Sequence, residues 1–366
     1  MKIAVPKEIK IMEGRVAITP QGLKTLVDGG HIVYIEKNAG IISGIQDDEY
    51  TAAGAIILDS AADIWDAADM ILKVKEPVEQ EFGFMKEGQI LFTFLHLAAN
   101  KTLTDIILQK KIIGIAYETV QFNDGSLPLL APMSAVAGRL SIQMGCACLE
   151  VKNGGRGILL SGVPGVAPAN VTIVGGGISG LNAAHLASGM GAVVTIIDIN
   201  LARLSYLEDI FHSRAVTLMS NSGNIEESCI NADLVIGSVL IPGARAPKLI
   251  KRDILRKMKK GSAFVDIAID QGGCAETSRP TTHLDPIYIE EGIVHYCVAN
   301  MPGAVPRTST YALTNATLPY TAAIANKGYR KAIMDDPALA RGVNVHRGSL
   351  TCRRVAEAFS MECAEI

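Results

Sequence analysis

No basic excess marks this chain. Its 34 lysines and arginines stand against 37 aspartates and glutamates, a formal net charge of −3 with both signs dispersed. That excludes the electrostatic footprint of a nucleic-acid binder, which needs a basic face. Cysteine pairing is also missing as a pattern. Seven cysteines are scattered singly apart from Cys146 and Cys148, with neither a disulfide framework nor zinc-finger spacing. Most of them read as core-filling thiols, a reducing compartment follows, and no metal site is expected. Residues 157–197 contain no Asp, Glu, Lys or Arg. Pro164, Pro168 and nine glycines nevertheless interrupt them, and no apolar run reaches the roughly 18 residues of a membrane span. The chain opens directly on the strand pattern Lys2-Ile3-Ala4-Val5-Pro6, without the charged-then-apolar character of a signal peptide. The expectation is a soluble, cytoplasmic protein with no membrane or nucleic-acid partner.

What is present is a long α/β chain. Its 366 residues, 49% apolar and 19% charged, fit a globular protein of two domains. Strand-like runs at 2–5, 32–36, 55–58, 70–75, 90–95 and 112–117 alternate with helical stretches such as Gln21 to Asp28 and Lys101 to Lys110, the latter capped by Asn100. A second set lies at 171–175, 193–198, 215–219, 234–239, 263–268 and 294–299. Strands alternating with helices imply parallel sheets covered on both faces. After Val305 the patterns are helical: Thr310 to Asn326, Pro337 to Arg341 and Arg353 to Phe359. These last helices are expected to rejoin the first domain. The predicted organisation is therefore a discontinuous domain, 1–130 with 306–366, interrupted by a second domain, 131–305.

Polar residues fall just beyond several apolar runs. Lys75 follows 71–74, His96 follows 90–95, and Asp270 follows 263–269. In open α/β sheets, ligands sit beyond the carboxyl ends of the strands. Each residue alone has a plain alternative: a solvated lysine paired with Glu76, a satisfied core histidine, a carboxylate capping the turn before Gly272 and Gly273. Period-2 alternation places Lys73 on the same side as Lys75, with Pro77 ending the strand. Arg15 lies in the loop Glu13-Gly14-Arg15-Val16-Ala17, where its planar fork suits a carboxylate. The alternative there is a surface arginine paired with Glu13.

Between these runs, Val171-Thr172-Ile173-Val174 leads into Gly175-Gly176-Gly177-Ile178-Ser179-Gly180 and a helix from Leu181 to Ser188. A G-x-G-x-x-G after a strand and opening a helix is a dinucleotide fingerprint. Gly175 serves the tight turn, Gly177 the approach of a pyrophosphate, Gly180 close helix–strand packing, and the helix N-terminus offers amides to the anion. The next strand ends in Asp198, placed to accept from ribose hydroxyls and to repel a 2′-phosphate. NAD is favoured over NADP, with Arg203 nearby as the residue that would favour the phosphate.

The motifs Pro6-Lys7-Glu8-Ile9-Lys10, Arg15-Val16-Ala17, Leu72-Lys73-Val74-Lys75-Glu76-Pro77, His96-Leu97-Ala98-Ala99, Ala131-Pro132-Met133-Ser134, Ala268-Ile269-Asp270-Gln271-Gly272-Gly273, 277–283 and 300–310 together resemble the alanine dehydrogenase family over nearly the whole length. The resemblance implies two doubly wound domains, a Rossmann NAD-binding domain inserted into the substrate domain. It implies reversible conversion of L-alanine, NAD⁺ and water to pyruvate, ammonium and NADH, by hydride transfer from the substrate Cα. By the resemblance, Arg15 and Lys75 hold the substrate and His96 and Asp270 carry the acid–base steps. It also places Ser134, Gly175, Gly177, Ile178, Ser179, Gly180, Asp198, Arg203, Ser220, Val239, Leu240, Ile267, Asp270, Arg279, Val298, Asn300 and Met301 around the cofactor. It implies a homo-oligomer, usually a hexamer. The family loop usually reads Gly-Gly-Gly-Val-Val-Gly, and here positions 178 and 179 are Ile and Ser, both variable slots. Phe94, Tyr117 and Met133 are candidates for limiting the substrate side chain to a methyl. The site is expected between the domains. The rivals are the NAD-binding subunit of proton-translocating transhydrogenase, a saccharopine-type dehydrogenase and a non-catalytic NAD sensor.

Overall fold

The structure, a computed structural model, describes residues 1–239 and 246–365. The chain divides into two compact units, Met1–Met133 with Val305–Ile366, and Ser134–Ala304. The first begins with β1 (Lys2–Val5), β2 (Ile32–Glu36), β3 (Ile56–Leu58), β4 (Met70–Leu72), β5 (Ile90–Thr93) and β6 (Ile113–Ala116). The second contributes β7 (Asn170–Val174), β8 (Val193–Asp198), β9 (Ala215–Met219), β10 (Leu234–Gly237), β11 (Ala263–Asp266), β12 (Ile287–Glu290) and β13 (Ile293–Tyr296). The chain then returns to the first sheet with β14 (Val343–His346) and β15 (Ser349–Leu350).

The sheet orders are β15-β14-β6-β5-β4-β1-β2-β3 and β12-β13-β11-β10-β7-β8-β9. Within each, six parallel strands follow the doubly wound order 3-2-1-4-5-6. Direction reverses between β1 and β4 in one sheet and between β7 and β10 in the other. Such switch points open a crevice for ligands. The central strands β4, β5, β6, β10, β11 and β13 are buried on both faces, as the middle of a covered parallel sheet requires. Ile71 and Leu91 of the first sheet pack with Ile64, Trp65, Leu103 and Ile107 from covering helices. Asn100 caps the helix Lys101–Gln109 by accepting from the Leu103 amide.

The expected strand runs are too long at the ends that matter. β4 stops at Leu72 rather than 75, β5 at Thr93 rather than 95, and β11 at Asp266 rather than 268. A side-chain carboxylate takes over the amides just beyond each end. Glu8 accepts from Val74 and Lys75, Glu118 from Leu95 and His96, and Asp266 from Ala268. Lys73 and Lys75 therefore do not share a strand face: Lys73 is buried and Lys75 half-buried.

The hairpins β12–β13 and β14–β15 were not expected from the patterns. Each turns on a non-glycine residue and a glycine that both have positive φ: Glu291 at 51° with Gly292 at 74°, and Arg347 at 48° with Gly348 at 96°. Two-residue hairpins need positive φ at both positions, and Asn-Gly or Asp-Gly is the usual signal. Glu-Gly and Arg-Gly conceal it.

Candidate active site

In the first unit, the loops after β5, β4 and β1 leave three adjacent strands of one sheet. Arg15 follows β1 and Lys75 follows β4, so they leave the two sides of the switch point. Arg15 is only 2% exposed, which corrects the surface alternative. Its partner is nevertheless Glu13. Arg15 Nε donates to Glu13 Oε1 at 2.6 Å, Nη2 donates to Oε2, and Nη1 reaches Met133 Sδ at 3.1 Å. The fork is thus held rigidly in a buried place. Glu76 pairs with Lys10.

Lys75 is gripped at its backbone. Its N–H donates to Glu8 Oε1 at 3.2 Å and its carbonyl accepts from Thr93 Oγ1 at 3.1 Å. Glu8 in turn lies 3.2 Å from Lys73 Nζ, which donates to Glu81 Oε1 at 2.8 Å. Burial pushes the Glu8 carboxyl above the usual range, while Lys73 and the Val74 amide pull it back. Burial works against the Lys73 ammonium, but Glu8 and Glu81 outweigh it and hold its pKa above the ordinary value.

His96 has φ 48°, the left-handed region, which a non-glycine residue occupies at a cost when its surroundings enforce it. The enforcement comes from Glu118. Its Oε1 accepts from the His96 amide at 2.6 Å and lies 4.0 Å from Nδ1 of the same residue. The Phe94 ring lies parallel to the imidazole, with centroids 5.8 Å apart. Phe94 also meets Tyr117 edge-on at 5.1 Å. His96 itself is exposed, so it is not a core histidine. Phe94, Tyr117 and Met133 are buried.

In the second unit the glycine loop occupies the β7–β10 switch point. Gly175 has φ 104°, and a Cβ there would stand 2.7 Å from the Ser238 carbonyl. A Cβ on Gly180 would stand 1.9 Å from the Gly175 carbonyl, so close helix–strand packing requires that glycine. A Cβ on Gly177 would meet nothing within 4 Å. The space above Gly177, which caps the helix Ile178–Gly189, is open where an anion would approach the amides.

Asp198 accepts from the Gly176 amide at 2.7 Å and from Asn200 at 2.8 Å. Arg203 Nε donates to the Gly176 carbonyl at 2.6 Å and Nη2 to Gly177 at 3.3 Å. The guanidinium thus braces the loop. Ser220 donates its amide to the Asp198 carbonyl. Ile178 is exposed, while Ser134, Ser179, Val239 and Ile267 are half-buried. Val298 and Met301 are buried. Asn300 has φ 62°, and its carbonyl lies 3.1 Å from His283 Nε2. Arg279 stacks over Tyr288 at 4.0 Å. Leu240 lies outside the described residues.

Asp270 is exposed and sits within the 3₁₀ turn Ile267–Gln271. That places it a turn beyond the strand rather than at its tip. The capping role belongs to Asp266, which is fully buried and accepts from Ala268, Cys274 and the Ser278 hydroxyl. Burial raises its pKa, against the pull of those donors.

Sequence reasoning missed Glu8, Thr93, Glu118, Ser238 and Asp266 as supports of these loops. Glu8 caps an amide 66 positions away, a relation no local pattern contains. Asp266 reads as one more strand residue. Its unusual polarity within Ala263-Phe264-Val265-Asp266-Ile267 was the available signal. Among the described residues, no cluster of His, Cys, Asp and Glu is arranged to hold a metal ion, and no helix is long and apolar enough to cross a membrane.

Comparison with known proteins fits both halves. Residues 4–137 match the family model "Alanine dehydrogenase/PNT, N-terminal domain", and residues 141–353 match "Alanine dehydrogenase/PNT, C-terminal domain". The chain is 59% identical over 362 residues to an alanine dehydrogenase of Methanococcus maripaludis, covering 99% of this chain and 97% of that one. It is 56% identical over 365 residues to an alanine dehydrogenase of Halomonas elongata, covering 100% and 98%. A solved L-alanine dehydrogenase superposes with a TM-score of 0.95 at 52% identity, covering 98% of this chain and 99% of that chain. The chain belongs to the alanine dehydrogenase/PNT family.

Proposed function

We propose that this protein catalyses the reversible, NAD-dependent oxidative deamination of L-alanine to pyruvate and ammonium. The observation that carries this reading is that both switch points are equipped. One has Arg15 and Lys75 on its two sides; the other carries a glycine loop with open space at Gly177 and a carboxylate at Asp198. The residues present fit a dinucleotide. The helix N-terminus and Gly177 would receive the pyrophosphate, and Asp198 the adenosine ribose. Asp198 disfavours a 2′-phosphate, and Arg203 is turned to the loop carbonyls. When bound, NAD supplies the acceptor for the hydride that leaves the substrate Cα.

This chain's residues do the rest. Arg15 and Lys75 hold the substrate, Arg15 as a buried cation braced by Glu13, Lys75 as an ammonium that neutralises the carboxylate or polarises the developing oxygen. His96, exposed just beyond β5 with its amide held by Glu118, is the proton carrier. Asp270 orients water or ammonia or relays a proton. Phe94, Tyr117 and Met133 limit the side-chain slot. The expected assembly is a homohexamer, which sedimentation measures.

The test is NADH consumption with pyruvate, with and without ammonium. Consumption that requires ammonium supports the reading. Consumption without it would mean reduction to a hydroxy acid and would overturn the reading.

A further inference from the structure

We infer that Glu8, Lys73, Glu81 and Thr93 form a buried polar frame that positions Lys75 for the substrate. The inference rests on the proposed role of Lys75 and adds a set of positioning residues to it.

Both polar backbone atoms of Lys75 are held by side chains rather than by the backbone of a neighbouring strand. The N–H donates to Glu8 and the carbonyl accepts from Thr93. The frame continues on both sides. Glu8 Oε1 also takes the Val74 amide at 2.6 Å. Lys73 joins Glu8 to Glu81, and Glu81 Oε2 accepts from the Val78 amide at 3.0 Å. Four backbone groups between residues 74 and 78 thus end on this frame. All four framing side chains are buried: Glu8 is 7% exposed, Lys73 1%, Glu81 2% and Thr93 0%.

Such a cluster is a poor way to gain stability, since well-packed apolar side chains of similar volume commonly serve as well or better. What it supplies is fixed geometry where β4 has ended. The neighbouring β5 segment still accepts from the Lys73 amide at Phe92 and donates from Phe94 to the Val74 carbonyl. The Val74 amide and both polar backbone atoms of Lys75 pass instead to the frame, which sets the course of the chain through Lys75 toward Pro77. An ammonium on a flexible four-carbon stem acts as an oriented group only if its root is fixed.

Thr93 gives the cleanest test, because Thr93→Val keeps the shape and removes the hydroxyl, while Thr93→Ser keeps the hydroxyl. Thr93→Val is expected to raise the KM for L-alanine and for pyruvate by about tenfold, with Thr93→Ser close to the parent. Glu8→Gln, which retains an acceptor for the two amides, is expected to lose less kcat/KM than Glu8→Ala. NADH affinity should stay unchanged in all four variants. Should a Glu8 variant fail to fold by circular dichroism, the Thr93 pair decides alone.

Lys75→Ala is assayed beside them. If it turns over normally, the role given to Lys75 fails. If it is inactive while folded Thr93→Val keeps the parent KM and kcat, the frame proposal fails and the role of Lys75 stands. A Thr93→Ser variant as impaired as Thr93→Val would also overturn the proposal, since packing rather than the hydrogen bond would then explain the effect.

Discussion

At the scale of the residue, the candidate chemistry rests on side chains whose backbones are unusual. His96 occupies the left-handed region because the Glu118 carboxylate holds its amide and Phe94 lies along its ring. His96→Ala should lose turnover by about 10²–10⁴-fold, the usual worth of a positioned proton carrier, while NADH titrated by fluorescence still binds. Near-normal turnover would remove His96 from the mechanism. Asp198 is the proposed ribose acceptor and ties down Gly176. Asp198→Ala should therefore weaken NAD binding and narrow the preference over NADP, as read from the two Kd values. Because Arg203 is engaged with the Gly176 and Gly177 carbonyls, tight NADP binding is not expected from that change alone. The sequence made these functional candidates legible, since they stand next to apolar runs. It hid Glu8 and Glu118, which act on amides 66 and 22 positions away.

At the scale of the element, the recurring device is the strand end closed by a carboxylate. Glu8 follows this rule at β4, Glu118 at β5, Asp198 at β7 and Asp266 at β11. Apolar runs predict strands that continue until the hydrophobicity stops. The real strands stop where a side-chain carboxylate takes the amides, Glu8 from far along the chain at 70–75 and Asp266 of β11 itself at 263–268, which is why both runs are too long by a few residues. The helices were easier to read, because the Asn100 cap and the glycine loop are local signals.

The loop–helix junction after β7 is correspondingly intolerant. Gly180→Ala would drive a methyl to 1.9 Å from the Gly175 carbonyl. It should lower the thermal midpoint and abolish NADH binding together.

The Glu8–Lys73–Glu81 group gives a pH prediction. The Lys73 pKa is raised in the folded state above the ordinary 10.5, so its stabilising contribution is complete below that pH and is lost as pH climbs through the higher folded value. Lys73→Met leaves two buried carboxylates without their cation, and breaking a buried pair costs about 3–5 kcal/mol. The gap in thermal midpoint between parent and Lys73→Met should be wide at pH 9 and should close as the pH passes upward through the folded Lys73 value. The buried Tyr50 and Tyr117 also resist ionisation. They are common to both proteins and cancel in the difference.

At the scale of the whole molecule, the chain uses one construction twice. Each unit carries a doubly wound set of six parallel strands with its own switch point, one proposed for the substrate and one for the dinucleotide. That repetition was legible as two sets of alternating strands and helices. The added hairpins β12–β13 and β14–β15 were not, because their turns carry Glu-Gly and Arg-Gly. Seven cysteines, none in a disulfide, play no part in the proposed chemistry. Burial pushes Cys229 and Cys297 up to about 12, which keeps them protonated and unreactive near neutral pH.

The most direct measurement is the appearance of NADH absorbance when the purified protein meets L-alanine and NAD⁺ at alkaline pH, beside D-alanine, glycine, serine and NADP⁺. The account predicts rapid formation with L-alanine and NAD⁺, none with D-alanine, and at most slow formation with the other substrates or with NADP⁺. No formation with L-alanine, in a protein that still binds NADH, would contradict it.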